Sequence, residues 1–387
     1  MNKERQRPIN QKYVCFVYCH VTPKTGAHFR FDRLIEEAIK NHEAVFLLGP
    51  PRGGFLTYQN VHYPSKRWKE TRRFAQVAII AYVLRSVREL LRWRKYVSYV
   101  VVFGETPLVA AQIAAFFCRA KLSVGVRSNV LRRHRLQNPQ ALRRLLFIVL
   151  HSVWRLVYQF TSQIIVQTPE AKAEFINCYQ VAPRRVAYLA NNVRSTSYNA
   201  THVRRLSSNV RMLFVGNNSQ IKGFDLLSEV FIVRKYPMIS SLTCVGVDES
   251  QATTLKATCN SNEVELTIMP WADDIISLMK THDVLIVPSR EDQFPNVVLE
   301  AAACNLPVIG SDVDGIAYML EDPRLLFSPH CTNSIGDCID FVLSPSGYQA
   351  ALEALHRIRM RFNFDWEGAY LSLVTNETCP KWCELCG

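Results

Sequence analysis

At 387 residues the chain is long enough for two or three domains with sizeable cores. Its composition, 48% hydrophobic and 20% charged with a mean hydropathy of −0.02, is that of an ordinary globular protein. No run reaches the roughly eighteen apolar residues of a membrane span; the nearest, residues 145–160, is interrupted by His151 and Arg155. The formal charge of +13 is unevenly spread: residues 1–200 hold 32 Lys and Arg against 10 Asp and Glu, and residues 201–387 hold 14 against 23. A net +22 followed by a net −9 marks two units with different partners.

The first strand is expected over residues 12–21 (KYVCFVYCHV), leading through a loop with Gly26 into a helix over 29–41. The start of the chain has neither a long apolar core nor a small-residue cleavage site, so it does not read as a secretory leader. In that setting the twelve cysteines read as reduced core thiols, with Cys15, Cys118 and Cys244 inside apolar stretches. The Asn-x-Ser/Thr matches at Asn199, Asn217 and Asn376 read as coincidental.

A second strand is expected over 44–48, then a basic helical region over 64–95 that includes Arg85, Arg88, Arg92, Arg94 and Lys95. Strands over 99–103 and 122–126 flank an apolar helix over 108–117, and Arg127 follows. A second basic amphipathic segment holds Arg132, Arg133, His134, Arg135, Arg143, Arg144, Trp154 and Arg155. Such segments suit an anionic membrane surface. Nucleic acid is the weaker rival, because no RNP, zinc-finger or helix-turn-helix signature accompanies the charge; a solvated basic face with no specific partner is the plain alternative. A strand over 163–167 precedes Thr168-Pro169, an N-cap and a first helical position. A last strand over 185–189 leads to Asn191-Asn192-Val193 and a Ser/Thr-rich linker at about 194–208.

Strands over 211–216, 242–247, 264–269 and 284–287, with helices between them including 273–281, indicate a doubly wound parallel sheet. Trp271 at a strand end could flank a base, although such a residue is more often core. A final helical region is expected over 348–373. The tail has Cys379, Cys383 and Cys386 without a fourth zinc ligand, and it is not a prenylation box.

The most informative stretch is Val284 to Asp312. A buried strand ends in the polar turn Pro288-Ser289-Arg290-Glu291-Asp292-Gln293-Phe294-Pro295, a helix opens at about Asn296, and a second strand follows Pro307. The loop therefore sits at the carboxyl end of a strand, where open α/β sheets bind ligands. Asp292 and Glu300 bracket a helix N-terminus, which suits a diphosphate. On spacing alone, a capping Asp292 and a solvated Glu300 explain the pair equally well.

This stretch resembles the signature of the retaining, nucleotide-sugar-dependent glycosyltransferases of family 4. Their pattern is Pro-Ser, Glu-x7-Glu through a Phe-Gly or Phe-Pro turn, then Ala-x-Ala-x-Gly-x-Pro-Val. Pro288-Ser289, Phe294-Pro295, Glu300-Ala301, Ala303 and Pro307-Val308 match it; Asp292 replaces the first Glu and Asn305 replaces the Gly. Asn tolerates the left-handed backbone that a helix end often needs. Lys222-Gly223 matches the family's Gly-Arg-x4-Lys-Gly pattern after Gly216, but Asn217 occupies the Arg position, so that cation is missing or comes from Arg290 or Arg127.

The resemblance implies the GT-B fold: two Rossmann-like, doubly wound parallel-sheet domains facing across a cleft, with a C-terminal helix returning to the first. The corresponding spans are 1–200 for a basic acceptor domain, 201–350 for the donor domain, and 351–387 for the closing helix and tail. It implies sugar transfer from a nucleoside diphosphate-sugar to a glycan or lipid-linked acceptor with retention of configuration, in polysaccharide or cell-surface glycan synthesis. Asp292, Glu300 and Lys222 would be the catalytic set. Gly26, Gly216, Asn217, Arg290, Phe294, Pro295, Asn296 and Val297 would complete the donor site, and His28, Arg127 and His134 would face the acceptor. Arg127 stands where relatives often carry a His, so no catalytic base is named. No cofactor or metal is expected beyond the co-substrate, because that arrangement requires none. The expected location is the cytoplasm, peripheral on a membrane. The alternatives are a nucleotide-sugar epimerase on the same fold and a degenerate protein that binds a nucleotide sugar or nucleic acid without catalysis.

Overall fold

The computed structural model describes residues 13–18, 26–41, 45–50, 60–63, 75–104, 107–127, 142–193, 204–217, 220–272 and 274–375. His134, its neighbouring arginines at 132, 133 and 135, the basic residues at 66–73, Asn199, Asn376 and the tail cysteines lie outside them. The chain forms two units, with boundaries at Leu189/Ala190 and again at Phe364/Asp365.

Unit 1 runs through β1 (Tyr13–Val17), α1 (Gly26–Asn41), β2 (Val45–Leu48), β3 (Val61–His62), α2 (Ala75–Arg85) and α3 (Val87–Trp93). It continues with β4 (Val97–Phe103), α4 (Leu108–Cys118), β5 (Lys121–Gly125), α5 (Leu142–Gln159), β6 (Gln163–Val166), α6 (Pro169–Tyr179) and β7 (Val186–Tyr188). Its seven strands lie in the order β3-β2-β1-β4-β5-β6-β7, every pair parallel. The runs YVCFV and VFLL are buried at every position, as strands covered by helices on both faces must be. At the head of α6, Thr168 Oγ1 accepts the Ala171 N–H at 3.1 Å and Pro169 takes the first helical position, as the sequence indicates.

Unit 2 holds β8 (Val210–Val215), α7 (Phe224–Val233), β9 (Ile239–Val245), α8 (Thr253–Ser261), β10 (Glu265–Met269) and α9 (Ile275–Lys280). It continues with β11 (Val284–Val287), α10 (Asn296–Ala303), β12 (Val308–Ser311), α11 (Asp314–Leu320), β13 (Leu326–Phe327), α12 (Thr332–Val342) and α13 (Pro345–Arg361). Its sheet is also parallel, in the order β10-β9-β8-β11-β12-β13. The chain therefore winds outward from β8 and then returns to start again at β11. The carboxyl ends of β8 and β11 adjoin at the topological switch point.

The last helical stretch is two helices rather than one. α13 packs on α10 and α12 within unit 2, and α14 (Trp366–Thr375) belongs to unit 1, where it lies against α1 and β4. The break falls at Phe362, whose buried ring meets Phe294 edge to face with centroids 5.3 Å apart and whose carbonyl accepts the Val193 N–H at 2.8 Å. Asp365 then restarts the helix by accepting the Gly368 N–H at 3.0 Å. The two-residue strands β3 and β13 carry too little local pattern to be read in advance, whereas α12, also not anticipated, does carry one, with Ile335, Cys338, Ile339 and Val342 buried at i, i+3, i+4 and i+7. Cys15, Cys118 and Cys244 are buried free thiols; burial pushes the Cys118 pKa up to about 12 and raises those of the other two.

Candidate active site

The loop after β11 is fixed by close packing and by polar contacts. Gly223, the residue before α7, has φ +70°, and a Cβ there would lie 1.9 Å from the Pro288 carbonyl oxygen. Only glycine combines that backbone with that approach. Gly315 allows a similarly close approach on the other side, where a Cβ would meet the Gln293 carbonyl oxygen at 1.9 Å, and its N–H donates to the Asp292 carbonyl at 3.1 Å. Ser289, Glu291 and Phe294 are buried. Phe294 is thus a core anchor, its ring packed against those of Phe362 and Tyr318.

On this loop Lys222 Nζ is ion-paired with Asp292 Oδ2, joining the loop after β8 to the loop after β11. The Asp292 side chain is 13% exposed and that of Lys222 35%, so the pair is sheltered yet reachable. Arg290 takes a different part. Its guanidinium donates to both carboxylate oxygens of Asp225 at 2.8 Å and to the Gln220 carbonyl at 2.7 Å, and its N–H donates to the Ile221 carbonyl at 2.7 Å. A fork held by Asp225 in this way braces the Lys222 turn against the loop. Gly216 follows β8 directly, and Asn217 beyond it is exposed.

α10 opens at Asn296, and no side chain caps its N-terminus at Pro295. The first-turn N–H groups of a helix have no partner within it, and the dipole is positive there. Val297 lies in that first turn, partly exposed. Glu300 stands one turn further, on the same face as Asn296, and is also partly exposed. Asn296 Oδ1 accepts from Asn191 Nδ2 at 2.9 Å. At the other end Asn305 has φ +58°, and the Leu306 and Asn305 N–H groups bond back to Ala301 and Ala302 at 2.9 and 3.3 Å. This is the glycine-like stop expected of Asn at that position.

Lys222, Arg290, Asp292 and residues 294–300 therefore converge at the switch point of unit 2. Gly26, His28 and Arg127 belong to unit 1. Gly26 opens α1 and His28 lies on it. Arg127 follows β5, with its guanidinium carbon 4.2 Å over the Phe103 ring and 5.3 Å from the Trp366 ring centre. Desolvation pushes its pKa down to about 10, which leaves it cationic at neutral pH. Trp271 is 58% exposed beyond the edge strand β10, so it is not a core residue.

Sequence reasoning missed Asp225, Gly315 and Asn191. Each acts on a residue far along the chain, and only the local Asn191-Asn192-Val193 turn gave any sign. Asn192 Nδ2 also donates to the Phe364 carbonyl at 2.9 Å, so the two chain crossings of the unit boundary are bonded to each other and, through Asn191, to α10.

The family model described as Glycosyl transferases group 1 matches residues 209–344, the span that holds this site. Among curated proteins the chain is similar to D-inositol 3-phosphate glycosyltransferases. It is 24% identical over 227 residues to that of Rhodococcus jostii, covering 54% of this chain and 50% of the relative. It is 26% identical over 186 residues to that of Streptosporangium roseum, covering 43% of each. The chain thus spans about half the length of the curated relatives it matches. Among solved structures it is similar to Anabaena Alr3699/HepE in complex with UDP and glucose, with a TM-score of 0.67 at 15% identity over 95% of this chain and 98% of that one. The sucrose-phosphate synthase of Thermosynechococcus elongatus gives 0.70 at 14% over 95% and 99%. WaaG, a glycosyltransferase involved in lipopolysaccharide biosynthesis, gives 0.69 at 16% over 94% and 99%. These likenesses show the fold, two Rossmann-like parallel-sheet units of the GT-B class.

Proposed function

We propose that this chain, identified by these matches as a family 4-like glycosyltransferase, moves a sugar from a nucleoside diphosphate-sugar to a glycan or lipid-linked acceptor with retention of configuration. The observation that carries the reading is the convergence of Lys222, Asp292 and the α10 N-terminus at one switch point, with Glu300 a turn away. UDP or UDP-glucose in HepE structures of the same fold favours a uridine donor.

In this reading Lys222 exchanges the Asp292 carboxylate for the donor diphosphate. The exchange places a cation and the helix N-terminus against the charge that grows on the leaving group as the glycosidic bond breaks. It also releases Asp292 to accept hydrogen bonds from the transferred sugar, and Glu300 holds the ribose hydroxyls. Arg290, committed to Asp225, positions the Lys222 turn rather than replacing the cation that Asn217 lacks. Leaving-group charge is assigned to protein groups, with no cofactor in the scheme.

The test is calorimetric titration of the full chain with UDP, GDP and ADP, with and without EDTA, for wild type and Glu300→Ala. One series should bind irrespective of chelation and weaken roughly ten- to hundredfold in the variant, the worth of a hydrogen bond to a charged group. Binding unchanged by Glu300→Ala would overturn the ribose assignment, and no binding by wild type would overturn the transferase reading.

A further inference from the structure

Helix α4 (LVAAQIAAFFC) carries no charged residue, and its inner face of Ala110, Ala111, Ala114, Ala115 and Cys118 is buried. Its outer face is apolar as well. Val109 and Phe116 are exposed and Ile113 is partly so, a stripe at i, i+4 and i+7, with Phe116 78% exposed. A helix that is apolar all round belongs in an interior, not on a surface. The neighbouring α5 continues the apolar surface, with Val153 and Leu156 exposed at i and i+3 and Phe160, the residue just past its end, 71% exposed. The two helices adjoin, because Gln112 Nε2 on α4 donates to the Val157 carbonyl on α5 at 2.5 Å. Scattered exposed apolar residues are ordinary, but two adjoining stripes form a patch.

The rim of the patch is cationic. On the other flank of α4, α3 is joined through Cys118 Sγ to the Leu90 carbonyl at 3.9 Å, and Arg88, Arg92, Arg94 and Lys95 are exposed there. Arg119 is exposed at the end of α4. Among the described residues from 75 to 127 one acid, Glu89, stands against eight Lys and Arg. No helix among the described residues is long and apolar enough to cross a membrane.

We infer that this face docks unit 1 on an anionic lipid bilayer. Phe116, Leu156 and Phe160 enter the boundary between headgroups and acyl chains, and the arginines pair with lipid phosphates, as on amphipathic surfaces that lie on membranes without spanning them. A second copy of the chain fits less well, since a two-fold contact through this face would set one arginine cluster against the other. The inference is independent of the donor site.

Flotation of the full chain with vesicles of phosphatidylcholine alone, or mixed with phosphatidylglycerol, tests it. Wild type should float with the mixed vesicles only, and less as salt rises. The double variant Phe116→Ser/Phe160→Ser should lose more than about tenfold in partition with circular dichroism and melting temperature unchanged. Arg88→Gln/Arg92→Gln, which leaves the apolar stripes intact, should lose about tenfold and most of the salt dependence. Wild type that stays in solution with mixed vesicles, or full binding by both double variants, would overturn the proposal. So would a concentration-dependent dimer that the phenylalanine variant dissolves.

Discussion

The two units are built on the same plan, but the arginines that stand out in each meet different partners. In unit 2 they are answered by acids and carbonyls: at the site Arg290 by Asp225 and Gln220, and at the opposite, amino-terminal end of β8 and β11 Arg211 by Asp283 at 3.0 Å and Arg204 by the carbonyls of Met279, His282 and Cys304. In unit 1 the guanidinium of the buried Arg30 and that of Arg127 lie against the Trp366 ring, 4.9 and 5.3 Å from its centre, while the arginines of α3 face solvent. Acid-paired arginines make a rigid frame for a small, shaped ligand. Arginines left at the surface, as on α3, keep their charge available to anions.

The comparison can be broken at four points. The largest effect is expected for Trp366→Ala. The ring is fully buried between Phe103, Tyr370 and the two guanidinium groups, and its loss should cost about 3–5 kcal/mol of unit 1 stability. Chemical denaturation should show that loss while nucleoside diphosphate titration stays unchanged; a parallel loss of nucleotide affinity would mean that the units are not separable in this way. Next is Lys222→Ala, which should lower turnover by roughly 10²–10³-fold if the lysine carries leaving-group charge. A change in KM alone would make it a uniform binding contact instead.

Asp292→Asn sharpens the same site with a smaller effect of opposite sign. Releasing Lys222 from the carboxylate should raise affinity for the bare nucleoside diphosphate about two- to fivefold, while transfer falls. Weaker nucleotide binding would show that Asp292 holds the nucleotide rather than competing with it.

The smallest effect concerns acid. His282 is buried, its Nδ1–H donating to the Leu278 carbonyl at 2.8 Å and its Nε2 accepting from Thr243 Oγ1 at 2.8 Å. Desolvation holds its pKa below the ordinary 6.5, so the unfolded chain binds the proton more readily. Its contribution to stability is complete above that value and is lost as pH falls through the depressed folded-state value. Melting curves taken downward from pH 7 should show the loss, and His282→Gln should flatten it; equal slopes would remove histidine from the account.

The sequence by itself determined the fold class and pointed to most of the residues that meet at the candidate site of unit 2. Both follow from short-range pattern: apolar runs long enough for parallel strands, a Lys-Gly turn before a helix, and two acids seven residues apart across a helix start. Asn305 could be read as a left-handed stop for the same reason, since the demand on it comes from its own helix. Tertiary structure alone decided what those residues touch. Arg290 looked available to a phosphate until Asp225, 65 residues earlier, was found to hold it. Phe294 stands in the loop of the signature, and only the fold shows that its ring lies against Phe362. The division of the last helical stretch between the units also depended on where the Phe362 ring and carbonyl found partners. Local periodicity fixes which way a side chain points along its own element. Which partner waits there is set by the packing of distant segments, and a linear pattern carries no record of that.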